Sequence, residues 1–134
     1  MRQLKKFTTV FSLTIFFAAT YTIAQTQMQM NQDAGSGYKQ AEAELNTIYL
    51  QILKGYAADT SFISHLKAAE RIWIKFRDAE LLMKYPPDGS YGSSQSMCES
   101  TYLEQLTHER IKTLKVWVDG IEEGDICSGS VKNK

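Results

Sequence analysis

The chain has 134 residues, with 15 basic and 15 acidic side chains and a formal net charge of zero at pH 7. This length is enough for one small domain. The absence of a basic excess argues against nucleic acid as a partner. Two histidines and two cysteines, scattered along the chain, do not predict a metal site, and no cofactor is expected.

The N-terminus has the three-part layout of a secretory signal peptide. Three cations in the first six residues precede an apolar run diluted by threonine and serine, and small residues stand at 22 and 24, before Gln25. The run is short for a membrane span. We therefore predict a signal peptide over 1–24, export to the periplasm or cell exterior, and no membrane span after cleavage. The segment holds three of the 15 basic residues and no acidic one, so the other 110 residues carry a net charge of −3.

Residues 25–37, QTQMQMNQDAGSG, are polar without a consistent period. Such a composition predicts a disordered leader. We expect a helical domain over 38–124 and a polar tail over 125–134.

Three apolar stripes with spacings of three and four residues predict three helices. The first begins at Tyr38. The second begins at a cap among Asp59–Ser61 and ends by Tyr85, because Pro86 follows. The third runs from about Cys98 to Gly120 or Gly124. The stripes are formed, in chain order, by Tyr38, Ala41, Leu45, Ile48, Tyr49, Ile52, Leu53 and Tyr56, then Ile63, Leu66, Ala69, Trp73, Phe76 and Met83, then Leu103, Leu106, Ile111, Leu114, Trp117, Val118 and Ile121.

No segment has the pattern of a strand, so the predicted fold is all-α, a three-helix antiparallel bundle after the signal peptide. Charged side chains nevertheless share the apolar faces. On the second helix Arg77, Glu70 and Glu80 point within about 60° of Trp73. On the third helix Arg110 falls in the middle of the apolar stripe.

An arginine without a partner in a core would be very costly. We therefore expect Arg77 to pair with Glu70 or Glu80 and to stack on Trp73. Glu42 is a candidate partner for Arg110. The favoured interpretation is an internal network that fixes helix register, and the alternative is a polar pocket for an anion or a partner's side chain.

The sequence offers little for catalysis, and we predict that the protein is not an enzyme. No zinc-protease motif and no glycine-rich phosphate loop occurs. His65 and His108 lie away from the stripe centres, and the loop serines have no evident base. Carboxylates beside arginines would stay ionised and act poorly as acids.

The two cysteines leave three possibilities open. If the third helix is straight, its ends lie about 30 Å apart, and the residues up to Cys127 could reach back roughly 24 Å. A Cys98–Cys127 bridge would therefore need a broken or shortened helix. Free thiols and a bridge between chains are the alternatives.

The segments AEAELNTIYLQIL and LKAAERIWIKFRDAE, a Gly/Ser loop, a cysteine and LTHERIKTL together resemble the LprI-like lysozyme-inhibitor domain. The resemblance spans about Tyr38 to Val118, and its most specific element is W-x3-RD, from Trp73 to Asp78. The matching positions are Glu44, Leu45, Asn46 and Tyr49, then Leu66, Trp73, Arg77 and Asp78, then Cys98, Thr107, Arg110 and Leu114. The polar network expected from this signature and the face analysis comprises Glu44, Asn46, Glu70, Trp73, Arg77, Asp78, Glu80 and Arg110.

The chain departs from the family pattern in its cysteines. Family members often carry a cysteine shortly after the Arg-Asp pair, bonded to the cysteine that begins the third helix. Here Leu81 or Leu82 occupies that region, and an early cysteine is also absent. Cys98 thus lacks its usual partner, and Cys127 is an addition.

The resemblance implies a small exported helical protein that inhibits lysozyme, or another wall-cleaving glycosidase, by steric blockade of its cleft. The contact would lie on the loop between the second and third helices, whose binding residues would be Tyr85, Asp88, Ser90, Tyr91 and Ser93. The plainer interpretation of that loop is a solvated connector. The alternatives are an envelope structural or interaction module with no enzyme target, and a small-ligand binder that uses Arg77 and Arg110.

Overall fold

The computed structural model describes the backbone of residues 2–134 and the side chains of residues 24–134. The described chain is an all-α bundle, as predicted, and its one β-type contact is an isolated bridge between Ile121 and Asn133. The helices are α1 (Arg2–Gly55), α2 (Thr60–Lys84) and α3 (Gln95–Asp119), with a 3-10 turn at Gly92–Ser94. Among the described residues, no helix is long and apolar enough to cross a membrane.

Successive helices run antiparallel, which leaves α1 and α3 parallel to each other and packed along much of their length. The core lies mainly between these two helices, and α2 covers one edge. Of the whole of α2, Leu66 is the residue that becomes buried. The buried apolar side chains are Ala41, Ile48, Ile52, Tyr56, Leu66, Leu106, Ile111 and Leu114.

Local signals place the helix ends near their predicted positions. The Asp59 carboxylate caps α2 by accepting from the Phe62 amide at 2.9 Å, and α2 ends one residue before Tyr85 and the proline pair. Gly120 closes α3 with a φ of +72°. The third helix begins three residues earlier than predicted, because the 3-10 turn leads directly into Gln95.

The prediction of a disordered leader over 25–37 is wrong, because α1 continues through this segment. Side chains four residues apart stabilise it: Gln27 donates to Asn31 at 3.0 Å, and Gln29 donates to Asp33 at 2.9 Å. Asn31 also donates to the Ser93 carbonyl at 3.2 Å. The side chains of residues 1–23, nearly all of the predicted signal peptide, lie outside the described residues, so its cleavage and the domain bounds stay predictions.

The predicted apolar face of α2 is only partly buried. Phe76 and Met83, which the spacing pattern assigns to the core, are 53% and 71% exposed, and Ala69 is also exposed. The physical reason is that α1 and α3 satisfy each other's apolar stripes. As a result α2 meets the bundle through Leu66 and Phe62 and through polar side chains that pair with α1 and α3.

The tail folds back on the end of α1. The Lys132 amide donates to the Tyr56 hydroxyl at 3.2 Å, and its ammonium group donates to the Gly55 carbonyl at 2.5 Å. Two backbone hydrogen bonds hold the end of the tail against Ile121: the Ile121 amide donates to the Lys132 carbonyl, and the Lys134 amide donates to the Ile121 carbonyl. Both cysteines are free thiols in the structure, and Cys98 is half-buried whereas Cys127 is exposed.

Candidate functional site

The centre of the polar network is an ion pair between α2 and α3. Arg110 donates from Nε to Glu70 Oε1 at 2.9 Å, and its Nη2 donates to the same oxygen. Both side chains are mostly buried, at 16% and 13% exposure. A guanidinium and a carboxylate that share two hydrogen bonds form a charge-assisted pair with defined geometry. This pair fixes the position of α2 relative to α3.

A second ion pair connects α2 with α1. Arg77 Nη1 lies 3.5 Å from Glu42 Oε1, and its Nε and Nη2 donate to Asp78 Oδ1 at 3.0 and 2.8 Å. The predicted pairing is therefore wrong for both arginines. Because Glu70 faces α3, it pairs with Arg110, and Glu42 pairs with Arg77 instead.

Trp73 lies between the two arginines. Its ring centre is 5.4 Å from the Arg77 guanidinium carbon, as predicted, and 5.9 Å from that of Arg110. A cation over an aromatic face is stabilised by the ring quadrupole. The W-x3-RD element thus serves to join two ion pairs through one ring.

Sequence reasoning missed Tyr38, which extends the network along α1. Its hydroxyl donates to Glu42 Oε1 at 2.6 Å. Burial and this hydrogen bond to a carboxylate raise the pKa of Tyr38 to about 12. The four-residue spacing of the two side chains on one helix face was the available signal.

The other predicted members of the network lie elsewhere. Glu44 pairs with Lys115 at 3.1 Å on an exposed face between α1 and α3. Glu80 accepts from the Tyr102 hydroxyl at 3.0 Å, nearer the loop. Asn46 is exposed beside a groove between α1 and α2.

Two grooves of about 530 Å³ each flank α2. The groove toward α1 is lined by Tyr49, Trp73 and Arg77, among others. The groove toward α3 is lined by Leu66, Trp117 and Arg110, among others. Each arginine is already neutralised by a carboxylate of this chain, so neither groove presents a free cation of the network to an anionic ligand.

The loop between α2 and α3 is held by a cluster of aromatic rings. Tyr85 packs edge-on against Tyr91 at 5.5 Å between ring centres and against Tyr102 of α3 at 6.3 Å. The ammonium group of Lys84 lies 3.8 Å from the centre of the Tyr102 ring. Partial burial raises the pKa of Tyr85, and the hydrogen bond to Glu80 raises the pKa of Tyr102.

The polar side of this loop is exposed. Asp88, Ser90 and Ser93 are accessible, whereas Tyr85 and Tyr91 are half-buried. The loop is tied to α1 by the hydrogen bond from Asn31 to the Ser93 carbonyl, and Ser94 Oγ donates to the Tyr91 carbonyl at 3.4 Å. The five predicted loop residues therefore lie on one ordered segment, which contains no basic residue between 85 and 94.

Within the described part of the chain, no three histidine, cysteine or acidic side chains are grouped so that they could hold a metal ion. His108 lies 3.7 Å from Glu104 on the surface of α3, and His65 lines the groove toward α3.

The described chain is therefore a helical bundle with an internally neutralised polar network and a loop, residues 85–94, that carries one acidic side chain, Asp88. The chain matches the family described as "Lysozyme inhibitor LprI" over residues 18–114. That range covers most of the chain, including α2, the loop and the network, and the chain belongs to this family. The resemblance noted from the sequence is thereby confirmed.

The chain is also similar to an uncharacterized protein of Rhizobium meliloti (strain 1021). The two are 32% identical over 111 residues, which cover 74% of this chain and 78% of that protein. No solved structure matches the chain.

Proposed function

We propose that this protein is an exported, non-enzymatic inhibitor of lysozyme or a related wall-cleaving glycosidase, which acts by filling the substrate cleft. The observation that carries the proposal is membership of a family described as lysozyme inhibitors, through a match that includes the whole loop between α2 and α3. Export rests on the charged, apolar and small-residue pattern of the N-terminus.

The contact is assigned to the loop, residues 85–94. Because its aromatic rings are already packed against α3 and its end is tied to Asn31, little conformational entropy is lost when it binds. Asp88 is exposed, and its carboxylate has no ion-pair partner among the described side chains. Lysozyme is a basic protein, so this carboxylate and the neighbouring tyrosines suit the rim of its cleft.

Two other surfaces suit such a target less well. The network arginines are paired within the chain. The exposed side of α2 carries Lys67, Arg71 and Lys75, which would repel a basic enzyme. A small-ligand binder that uses Arg77 and Arg110 is disfavoured, because both arginines are already paired with carboxylates of this chain.

The test is a titration of the purified protein into lysozyme while the lysis of cell-wall substrate is followed. We expect stoichiometric loss of lysis. Asp88→Asn and Tyr91→Ala should each weaken inhibition, by about 30-fold if the residue is a binding hot spot. Asp119→Asn, the same chemical change at the far end of α3, is the matched control and should inhibit like wild type.

Circular dichroism and urea unfolding of each variant separate lost binding from lost folding. An absence of inhibition at large excess, against both animal-type and bacterial wall hydrolases, would overturn the proposal. Full inhibition by a folded variant that combines Asp88→Asn with Tyr91→Ala would instead show that the loop is only a connector. Fractionation of the native cells tests export, since a protein retained in the cytoplasm could not meet a wall-cleaving enzyme.

A further inference from the structure

One flank of α2, about 100° around the helix from the buried Leu66, carries an apolar stripe that stays exposed. Ile72, Phe76 and Met83 are 68%, 53% and 71% exposed. On a helix these positions lie within about 40° of one another, and Ala68 and Ala79 border them. We call these five residues the outer stripe. Scattered exposed apolar residues are ordinary, but a continuous exposed patch marks an interaction surface.

Three cations follow one edge of the outer stripe. Lys67, Arg71 and Lys75 are spaced four residues apart, so they form a ridge along the same helix. Each is exposed, and none takes part in an ion pair within the described part of the chain. Arg71 and Lys75 line a shallow depression of about 370 Å³ together with Ile72 and Ile74. Cations and apolar groups are thus interleaved on one surface.

None of the acidic side chains of α2 pairs with this ridge, because each has another partner. Glu70 pairs with Arg110, Asp78 pairs with Arg77, and Glu80 accepts from Tyr102. The exposed surface of α2 therefore combines positive charge with apolar side chains. A complementary partner must carry negative charge beside an apolar region.

We propose that the outer stripe and its basic ridge bind the surface of a membrane that contains anionic lipid. Apolar side chains of a helix that lies in the interface enter the boundary of the acyl chains, while lysine and arginine stems extend their charges to the phosphates. The Arg110–Glu70 and Arg77–Glu42 pairs hold α2 on the bundle through a different face of the helix, so the stripe can contact a flat surface without unfolding.

A second copy of the chain fits this surface less well. In an antiparallel pair of α2 helices related by a two-fold axis, the same edge of each helix meets its equivalent. The basic ridges of both copies would then lie side by side. Lys75, near the middle of the stripe, would face the same residue of the other copy, and like charges in contact oppose such pairing.

The test measures binding to vesicles of phosphatidylcholine, with and without phosphatidylglycerol, by co-sedimentation at equal total lipid. All variants are made in the full chain, and the readout is the ratio of the partition constants of wild type and variant. A contribution from the shared N-terminal segment then cancels. We expect stronger binding to the anionic vesicles and weaker binding as salt is added.

Two variants remove the two components of the surface. Lys67→Gln with Arg71→Gln and Lys75→Gln should weaken binding to anionic vesicles by on the order of a hundredfold, at about fivefold for each cation. Phe76→Ser with Met83→Ser should weaken it further by removing the apolar contact. The matched controls make the same changes elsewhere: Lys39→Gln with Lys54→Gln and Lys112→Gln, and Leu50→Ser with Val118→Ser.

Equal partition of wild type and of the ridge variant would overturn the proposal, as would equal loss in the control variants. Sedimentation velocity of the same samples, and capture of binding proteins, test the two other possible partners of this surface, a second copy of the chain and an acidic protein. A dimer that the stripe variant dissolves, without lipid binding, would assign the surface to a second copy. Selective capture of an acidic protein by wild type, with no affinity for anionic vesicles, would likewise reject the membrane. Each result is independent of whether the protein inhibits lysozyme.

Discussion

Arg110 on α3 binds a single carboxylate oxygen of Glu70 on α2, since both Nε and Nη2 of its guanidinium donate to Oε1. The pair lies beside the Trp73 ring, with the Arg110 guanidinium 5.9 Å from the ring centre. Since α2 buries Leu66 and little else, this pair is a principal contact that holds α2 on the bundle.

Arg110→Ala should therefore destabilise the protein. It leaves the Glu70 carboxylate in a mostly buried position without its partner, which costs about 3 kcal/mol. Urea unfolding followed by circular dichroism gives the change in the free energy of unfolding. Lys115→Ala is the matched control, because it breaks an exposed pair with Glu44 and should cost less than about 1 kcal/mol. Equal costs for the two variants would contradict a structural role for the Arg110–Glu70 pair.

Truncation of an apolar side chain should lower the free energy of unfolding much more in the core than on the outer stripe of α2. Leu114 is 2% exposed. Leu114→Ala should lower the free energy of unfolding by about 2–5 kcal/mol, because a cavity remains. Met83→Ala should change stability by no more than about 0.5 kcal/mol, as expected for an exposed position. Thermal unfolding at low protein concentration measures both. A large cost for Met83→Ala would mean that the outer stripe is buried in solution.

Tyr38 should make stability depend on pH in alkaline solution. Its pKa in the folded protein is about 12, above the ordinary value near 10. The folded state therefore binds this proton more tightly than the unfolded chain does. The resulting stabilisation is complete below pH 10 and is lost as the pH rises from about 10 to 12.

Tyr38→Phe tests this dependence. The difference in unfolding free energy between wild type and variant should shrink across that pH interval, as measured by urea unfolding at each pH. Tyr85 and Tyr102, whose pKa values are raised by partial burial and by the Glu80 hydrogen bond respectively, titrate in both proteins. A difference that stays constant with pH would show that Tyr38 has an ordinary pKa.

Gly120 should not tolerate a side chain. Its φ of +72° is strained for other residues, and an added Cβ would lie 2.8 Å from the Lys132 carbonyl oxygen. With a ψ of 177°, Gly120 adopts a backbone conformation that is essentially confined to glycine. Gly120→Ala should therefore cost about 1–3 kcal/mol and should expose the tail to protease. Gly55→Ala is the contrasting change, since its Cβ would meet nothing within 4 Å. It should be neutral or stabilising, by about 0.4–1 kcal/mol. Similar losses for both variants would argue against the folded-back tail.

Much of this architecture is predictable from short-range patterns. Helix periodicity indicates three helices, and the Asp59 cap, the proline pair and Gly120 locate both ends of α2 and the end of α3, because each signal acts within about one turn of backbone. The pattern that ends in the Arg77–Asp78 pair also points to the family from residue identities alone. These patterns did not predict the helix over residues 25–37, because it is supported by side-chain pairs and by a hydrogen bond to the Ser93 carbonyl of the loop.

The tertiary structure alone decided which charges meet and which apolar face remains exposed. Several carboxylates are within reach of Arg77 and Arg110 on any reasonable arrangement of three helices, and the choice depends on distances between elements that no local pattern encodes. The same holds for Phe76 and Met83. Their spacing marks an apolar face, but α1 and α3 bury each other's stripes, so these two side chains of α2 stay exposed.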